Sequence, residues 1–350
     1  MLIDEFSNIT SYWKSFNSEL ETKKESEISY SSKISTLELV DNTILDKINA
    51  CVRNIGHRSI SPNDKQIWDI GWDQNYFNLL EQKDINHSLV PYYFAKYPFV
   101  RLLGKLYIDK SLVDRSLEEM ISNPVRKKEQ SIRYNSAEYD FYRIMIEQLI
   151  YIPALSYFKA NKLYEPVILD LGAGTCHNIW HFNSFLRKHN IKATFIAADW
   201  SKATNSITKF LNENSEIKIN YKYIDFNDNS TWSFLEEQYF NLIYTVASLE
   251  QLSSDPYPIL KKISLNKPYN KKIINIEPMH ESLSKFITED KQIIDYIDNR
   301  NYLTSFLGSL LRFEMDNKNN LEVSINRIGY GSLFLDAYTC IKWKNNINNR

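Results

Sequence analysis

At 350 residues, with 43% hydrophobic and 24% charged side chains, the chain has the makeup of a globular protein large enough for one full domain and a smaller one. Its formal net charge of -1 argues against a general nucleic-acid binder, which needs a basic excess to meet phosphates. Cys51, Cys176 and Cys340 are far apart, odd in number and without CxxC or Cys/His spacing, so no disulfide framework or zinc site is expected; no apolar run reaches the roughly 18 residues of a membrane span, and Met1 to Phe6 lacks the pattern of a signal peptide, so the expected location is the cytoplasm.

Residues 1 to about 60 read as polar and helical, with Leu39, Ile44, Ile48 and Val52 at helix-like spacing. Residues 59–64 read as a loop, and residues 66–115 are dense in aromatic side chains. Within them, Trp68-Asp69-Ile70-Gly71-Trp72-Asp73 pairs indole faces with carboxylates, a combination suited to stacking on a carbohydrate and binding its hydroxyls; an aromatic core is the plainer reading. Residues 122–133, with Pro124 and Arg126-Lys127-Lys128, read as a linker. A helix is predicted over 136–159, kinked or divided at Pro153.

From Pro166 the texture changes. Strands are predicted over 166–171, 193–198, 217–224, 240–246 and 271–276, with helices over 179–189, 202–212, 231–238 and 256–264 between them. A helix over 295–315 and two strand-like runs, 321–327 and 337–344, complete the chain. Alternating strands and helices imply an α/β fold, a mainly parallel sheet with helices on both faces, and the last two runs an antiparallel hairpin at its edge. The chain divides into a mainly helical N-terminal region, 1–135, expected to cover the cleft and bind the acceptor, and an α/β domain, 136–350.

Ligands of such sheets bind beyond the carboxyl ends of the strands. There the sequence places Asp170-Leu171-Gly172-Ala173-Gly174-Thr175, then Asp199 with Trp200, then Asp225 with Phe226. Gly172 and Gly174 allow a tight turn and close approach of the backbone to a ligand. Asp199 can accept two hydrogen bonds from ribose hydroxyls; Asp225 or Asn227 can meet an adenine amino group, and Phe226 or Trp200 supplies an apolar face. Asp225-Phe226-Asn227-Asp228 is also good turn chemistry. A dinucleotide fingerprint needs a third glycine where His177 stands, which weakens the pyrophosphate reading.

The four motifs Asp170 to Thr175, Ala198-Asp199-Trp200-Ser201, Tyr223-Ile224-Asp225-Phe226 and Asn241 to Val246 together resemble the class I S-adenosylmethionine-dependent methyltransferases, over residues 136–344. The resemblance implies a Rossmann-like sheet of seven strands ending in an antiparallel hairpin. It also implies S-adenosyl-L-methionine as cofactor: the glycine turn, including Thr175, holds its methionine part, Asp199 its ribose and Asp225 its adenine. A looser resemblance, carried by Arg300-Asn301-Tyr302-Leu303 and Gly331-Ser332-Leu333-Phe334, is to bacterial methyltransferases associated with surface-polysaccharide genes.

The expected reaction is O-methylation of a small-molecule or sugar hydroxyl. The alternatives are a protein or peptide side chain as acceptor, or a module that binds an S-adenosyl ligand without transfer. A hydroxyl acceptor benefits from a general base. Glu250, after the fourth strand, and His280 and Glu281, after the fifth, are the available groups. His177 and His181 stand four apart on one helix, but without carboxylates at fitting spacing no metal site is expected.

Overall fold

The computed structural model describes residues 146–252, 254–268, 271–282, 302–317, 321–327 and 338–345. It also describes residues 37–39, 72, 73, 76, 77, 79, 80, 99–102, 105–109, 294, 297, 298, 330 and 331. Cys51, Trp68, the predicted loop at 59–64 and the linker at 122–133 lie outside these residues.

Three short strands come first: β1 (Leu37–Leu39), β2 (Phe99–Leu102) and β3 (Lys105–Asp109). A π-helical turn, Glu147–Tyr151, runs into α1 (Ile152–Ala160), so the division expected at Pro153 falls where the wide turn gives way to the α-helix. The alternating region follows: β4 (Val167–Leu171), α2 (His177–Arg187), β5 (Thr194–Asp199), α3 (Lys202–Asn214) and β6 (Ile219–Tyr223). After a 3-10 turn at Asn229–Trp232 come α4 (Phe234–Glu237) and β7 (Leu242–Val246). Next are α5 (Tyr257–Leu265), β8 (Lys272–Pro278) and α6 (Phe306–Asn317). The last strands are β9 (Leu321–Arg327), β10 (Tyr330–Gly331) and β11 (Tyr338–Asn345).

Seven strands form one sheet in the order β6-β5-β4-β7-β8-β11-β9. β4 to β8 are parallel, and β11 lies antiparallel between β8 and β9. This is the seven-stranded α/β sheet with an antiparallel terminal hairpin implied by the sequence resemblance. Period-two alternation splits each strand between two cores. Ile168, Phe195, Leu242, Tyr244 and Ile274 pack with Ile179 and Phe182 of α2 and Ile207 of α3. Leu169, Leu171, Ile196, Ile243 and Ile273 pack on the other face with Ile259 and Ile263 of α5 and Phe306 and Phe313 of α6.

Three expectations change. Leu39 belongs to β1, paired antiparallel with β3, rather than to a helix: its neighbours in register are strand residues, Leu37 opposite Asp109 and Leu39 opposite Tyr107. Strands therefore join helical turns in the N-terminal region. The helix expected over 295–315 is interrupted, because the Tyr302 N–H goes to the Ile297 carbonyl and the Leu303 N–H to the Glu250 carbonyl; α6 starts afresh at Phe306. Finally, the packing crosses the division at 135/136. β10 pairs with β2, completing a four-stranded sheet β1-β3-β2-β10, and Leu79 is fully buried in the core of α2 and α3.

Candidate functional site

The chain runs outward from β4 through β5 to β6, then returns to place β7 on the other side of β4. The crevice between the carboxyl ends of β4 and β7 is therefore the switch point, where open α/β sheets bind ligands. Four residues with positive φ gather at these two strand ends: Gly172 (91°), Gly174 (51°), Cys176 (60°) and Ala247 (51°). Two of them are not glycine, a conformation that tertiary contacts must hold in place.

Each glycine has a local reason. A Cβ on Gly172 would stand 2.3 Å from the Ser248 Cβ, and the Ser248 hydroxyl donates to the Leu171 carbonyl at 2.8 Å. A Cβ on Gly174 would stand 3.2 Å from the indole of Trp72. The turn's amides are already used. Those of Gly172 and Ala173 donate to the Ala198 carbonyl, at 2.8 and 3.2 Å, and that of Gly174 donates to Asp199 Oδ2 at 2.8 Å. A phosphate cradle needs such amides aimed at the ligand.

Asp199, at the end of β5, also takes the Ser201 N–H on Oδ1 at 2.9 Å, so one carboxylate ties the glycine turn to the start of α3. Asp170, inside the sheet two residues before Gly172, accepts the Tyr244 hydroxyl at 2.8 Å. Burial pushes its carboxyl up to about 7, the Tyr244 bond pulls it down, and nearby Asp199 adds to the rise. Thr175 Oγ1 lies 3.0 Å from His177 Nδ1, and burial, with His181 adding, pushes the His177 ring down to about 3. Burial raises the Cys176 thiol, which makes it a poor nucleophile.

Asp225 lies just beyond β6 in a compact turn. Its Oδ1 accepts the Asn227 N–H at 3.0 Å, and its carbonyl accepts the Trp232 indole N–H at 2.8 Å. Phe226 packs against the α5 and α6 core, and Trp200 is half-buried beside Asp199. The β6 end thus shows the turn chemistry read from its sequence, next to an aromatic surface.

Across the crevice stands a carboxyl that sequence reasoning passed over. Glu277, near the end of β8, accepts the N–H groups of Ser248 (3.0 Å), Leu249 (3.2 Å) and Glu250 (3.1 Å). Burial pushes it up to about 8, neighbouring Glu250 adds to the rise, and bonds from Thr245 and the loop amides oppose it. Behind it, the Trp343 indole N–H donates to Asn275 Oδ1 at 2.8 Å and Asn275 Nδ2 donates to Thr245 Oγ1 at 2.9 Å. This polar chain crosses the sheet and ends under the loop after β7. An acid closing the apolar run Ile273 to Ile276 was the available signal.

Of the candidate bases, Glu250 is buried in the 3-10 turn Leu249–Gln251 and takes the Gln251 side-chain amide at 2.7 Å. His280 is partly exposed after β8, its Nε2 3.6 Å from Asp298 Oδ1. Glu281 Oε1 accepts the Leu307 N–H at 3.0 Å and so caps α6 from outside the helix. Among the described residues, no three His, Cys, Asp or Glu side chains stand together as a metal site, and no helix is long and apolar enough to cross a membrane.

The crevice's electrostatics are one-sided. Asp170, Asp199, Glu250 and Glu277 are all buried around it. The buried cations among the described residues are Lys271 and Lys342, and both lie elsewhere. Lys271 precedes β8 at the amino ends of the strands, donating to the Ser264, Asn266 and Pro268 carbonyls, and Lys342 lies within β11 opposite Ile274. Such a crevice favours a ligand bearing positive charge and disfavours a pyrophosphate.

No family model matches the chain, and no curated protein matches it in sequence. Solved structures similar to it include the DszA carbon methyltransferase, at 10% identity and a TM-score of 0.45 over 89% of this chain and 98% of that one. The CurJ carbon methyltransferase is 10% identical, with a TM-score of 0.42 over 87% of this chain and 93% of that one. An S-adenosylmethionine-dependent methyltransferase from Aquifex aeolicus is 12% identical, with a TM-score of 0.36 over 59% of this chain and 97% of that one.

Proposed function

We propose that the chain is an S-adenosyl-L-methionine-dependent methyltransferase. The observation that carries this reading is the pairing of a glycine turn whose amides are spent internally with a crevice lined by buried acids and no buried cation among the described residues. A dinucleotide would bring its pyrophosphate to that acidic surface, where the Gly172, Ala173 and Gly174 amides are already bonded within the protein. An S-adenosyl ligand instead brings a sulfonium and an ammonium. The residues that hold it are Asp199, for the ribose; the Gly172 to Thr175 turn and its acidic surroundings, for the cationic amino-acid end; and Phe226, Trp200 and Asp225, for the adenine.

The cofactor supplies a methyl group on positive sulfur, which transfers by in-line displacement and so depends mostly on alignment. The chain's own part is to align and to handle a proton. Glu250, on the loop after β7 that Glu277 holds, and His280, in the turn after β8, are the groups proposed to face the acceptor. For a hydroxyl acceptor, a small molecule or a sugar, His280 is the base: it stands near Asp298 and is more exposed than Glu250. The expected acceptor is such a hydroxyl, with the N-terminal region expected to select it.

Native mass spectrometry of the purified chain tests the cofactor reading. An S-adenosyl ligand, retained or added, is the expected outcome; a dinucleotide instead sinks it. Calorimetry near pH 7.5 in buffers of different ionisation heat is the sharper test. A sulfonium seated by Asp170 and Glu277 lowers both carboxyls, so S-adenosylmethionine should release more protons on binding than S-adenosylhomocysteine, whose sulfur is neutral. Labelled cofactor with fractionated cell extract then identifies the acceptor.

A further inference from the structure

Among the described residues, the N-terminal region reaches the glycine turn through one helical face. Trp72, Tyr76, Leu79 and Leu80 are helical and buried or half-buried, while Asp73 and Phe77 on the same stretch are exposed. This is the i, i+4, i+7 spacing of one helix stripe. Leu79 is fully buried in the core of α2 and α3, and the Tyr76 ring meets Phe210 of α3 edge-on at 6.3 Å. These two anchors fix the next position along the stripe, Trp72, over Gly174, where the indole would stand 3.2 Å from a Cβ. The indole remains half-buried, with surface left beyond the glycine contact.

We infer that Trp72 is a cofactor-contact residue, its indole forming the wall of the S-adenosyl pocket at Gly174. The inference rests on the methyltransferase reading above. It also gives part of the N-terminal region a cofactor role in addition to the acceptor role expected from its aromatic content. Gly174 is then required for two neighbours at once: its amide for Asp199, and the bare Cα for the indole. An aromatic face beside a cationic ligand adds attraction to the contact area it supplies.

The test uses the full chain labelled with 5-fluorotryptophan. Seven tryptophans give seven fluorine signals, and the Trp72 signal is the one lost in Trp72→Phe. Adding S-adenosylhomocysteine should shift that signal, a response that packing against the protein alone would not produce. By calorimetry, Trp72→Ala should bind S-adenosylhomocysteine about tenfold more weakly, and Trp72→Phe within about threefold of wild type. A Trp72 signal unmoved by a ligand that the wild-type chain binds overturns the inference and leaves the methyltransferase reading standing. Wild-type affinity in Trp72→Ala does the same. A wild-type chain that binds neither S-adenosylmethionine nor S-adenosylhomocysteine overturns the reading and this inference together. Should Trp72→Ala fail to fold, the fluorine signal of the wild-type chain decides.

Discussion

Two carboxyl groups organise the crevice in different ways. Asp199 takes one amide from each of two segments, Gly174 on the glycine turn and Ser201 at the start of α3. Glu277 takes three consecutive amides of one segment, Ser248 to Glu250. The first arrangement fixes a distance between neighbouring strand ends. The second fixes the curvature of one loop, and so the direction in which its side chains face. In the proposed reading, the same functional group gauges the cofactor on one side of the switch point and shapes the acceptor side on the other. If that division holds, changes on the β8 side alter turnover, and changes on the β4 and β5 side alter affinity.

The largest effect is expected on the acceptor side. His280→Ala should lower turnover on the true acceptor by at least about 10²-fold, with S-adenosylhomocysteine affinity near wild type. Glu250→Gln is its companion; weakened cofactor binding there would move Glu250 to the other side of the division. On the cofactor side, Asp199→Ala removes two hydrogen bonds along with the ribose acceptor. Loss of a charge-assisted bond costs roughly 1.5–3 kcal/mol, so calorimetry should show an affinity lower by about ten- to a hundredfold. Unchanged affinity would leave Asp199 as a structural tie only.

An effect of similar size, on stability rather than binding, separates the buried acid of β4 from both loops. The Asp170 carboxyl is raised from 3.8 to about 7 in the folded chain. The folded protein therefore keeps a proton that the unfolded chain gives up. This contribution to stability is complete below about pH 4 and is lost as the pH rises through about 7. Asp170→Asn still accepts from Tyr244 but does not titrate. Between pH 5 and 8 the wild-type chain without ligand should lose about 2–3 kcal/mol more stability than the variant, read from denaturant melts. Parallel pH curves would contradict the assignment. Least costly is Glu281→Ala, which removes the external cap of α6. A loss of about 1 kcal/mol is expected in the same melts, with cofactor affinity untouched.

Much of the cofactor side was legible because it is local. An apolar run closed by Asp and two glycines, with acids at the ends of the next two strands, lies within about sixty residues of sequence. What escaped depends on distant partners. Nothing around Trp72 announces that it meets Gly174, 102 residues on, and nothing around Glu281 announces the amide of Leu307. The Leu303 to Glu250 bond that interrupts the expected helix is equally remote. β2 and β3 did carry a local sign, two short runs separated by Leu103-Gly104, but the density of aromatic residues around them drew the reading toward a helical cap.

The two-residue strand β10 sets an order of assembly. Its partner in the smaller sheet, β2, lies 228 residues earlier, since Tyr330 pairs with Leu102. During synthesis β1, β2 and β3 emerge long before β10 exists, so the edge of β2 that β10 takes waits until more than two hundred further residues have been made. Closing that edge is a long-range step, of the kind that slows folding. The segment that closes it joins β9 to β11, the strands that finish the larger sheet, so completion of one sheet delivers the last strand of the other. A ribosome-bound chain stopped before residue 330 would present an open β-edge, which makes this edge the place where a holding chaperone has most to protect.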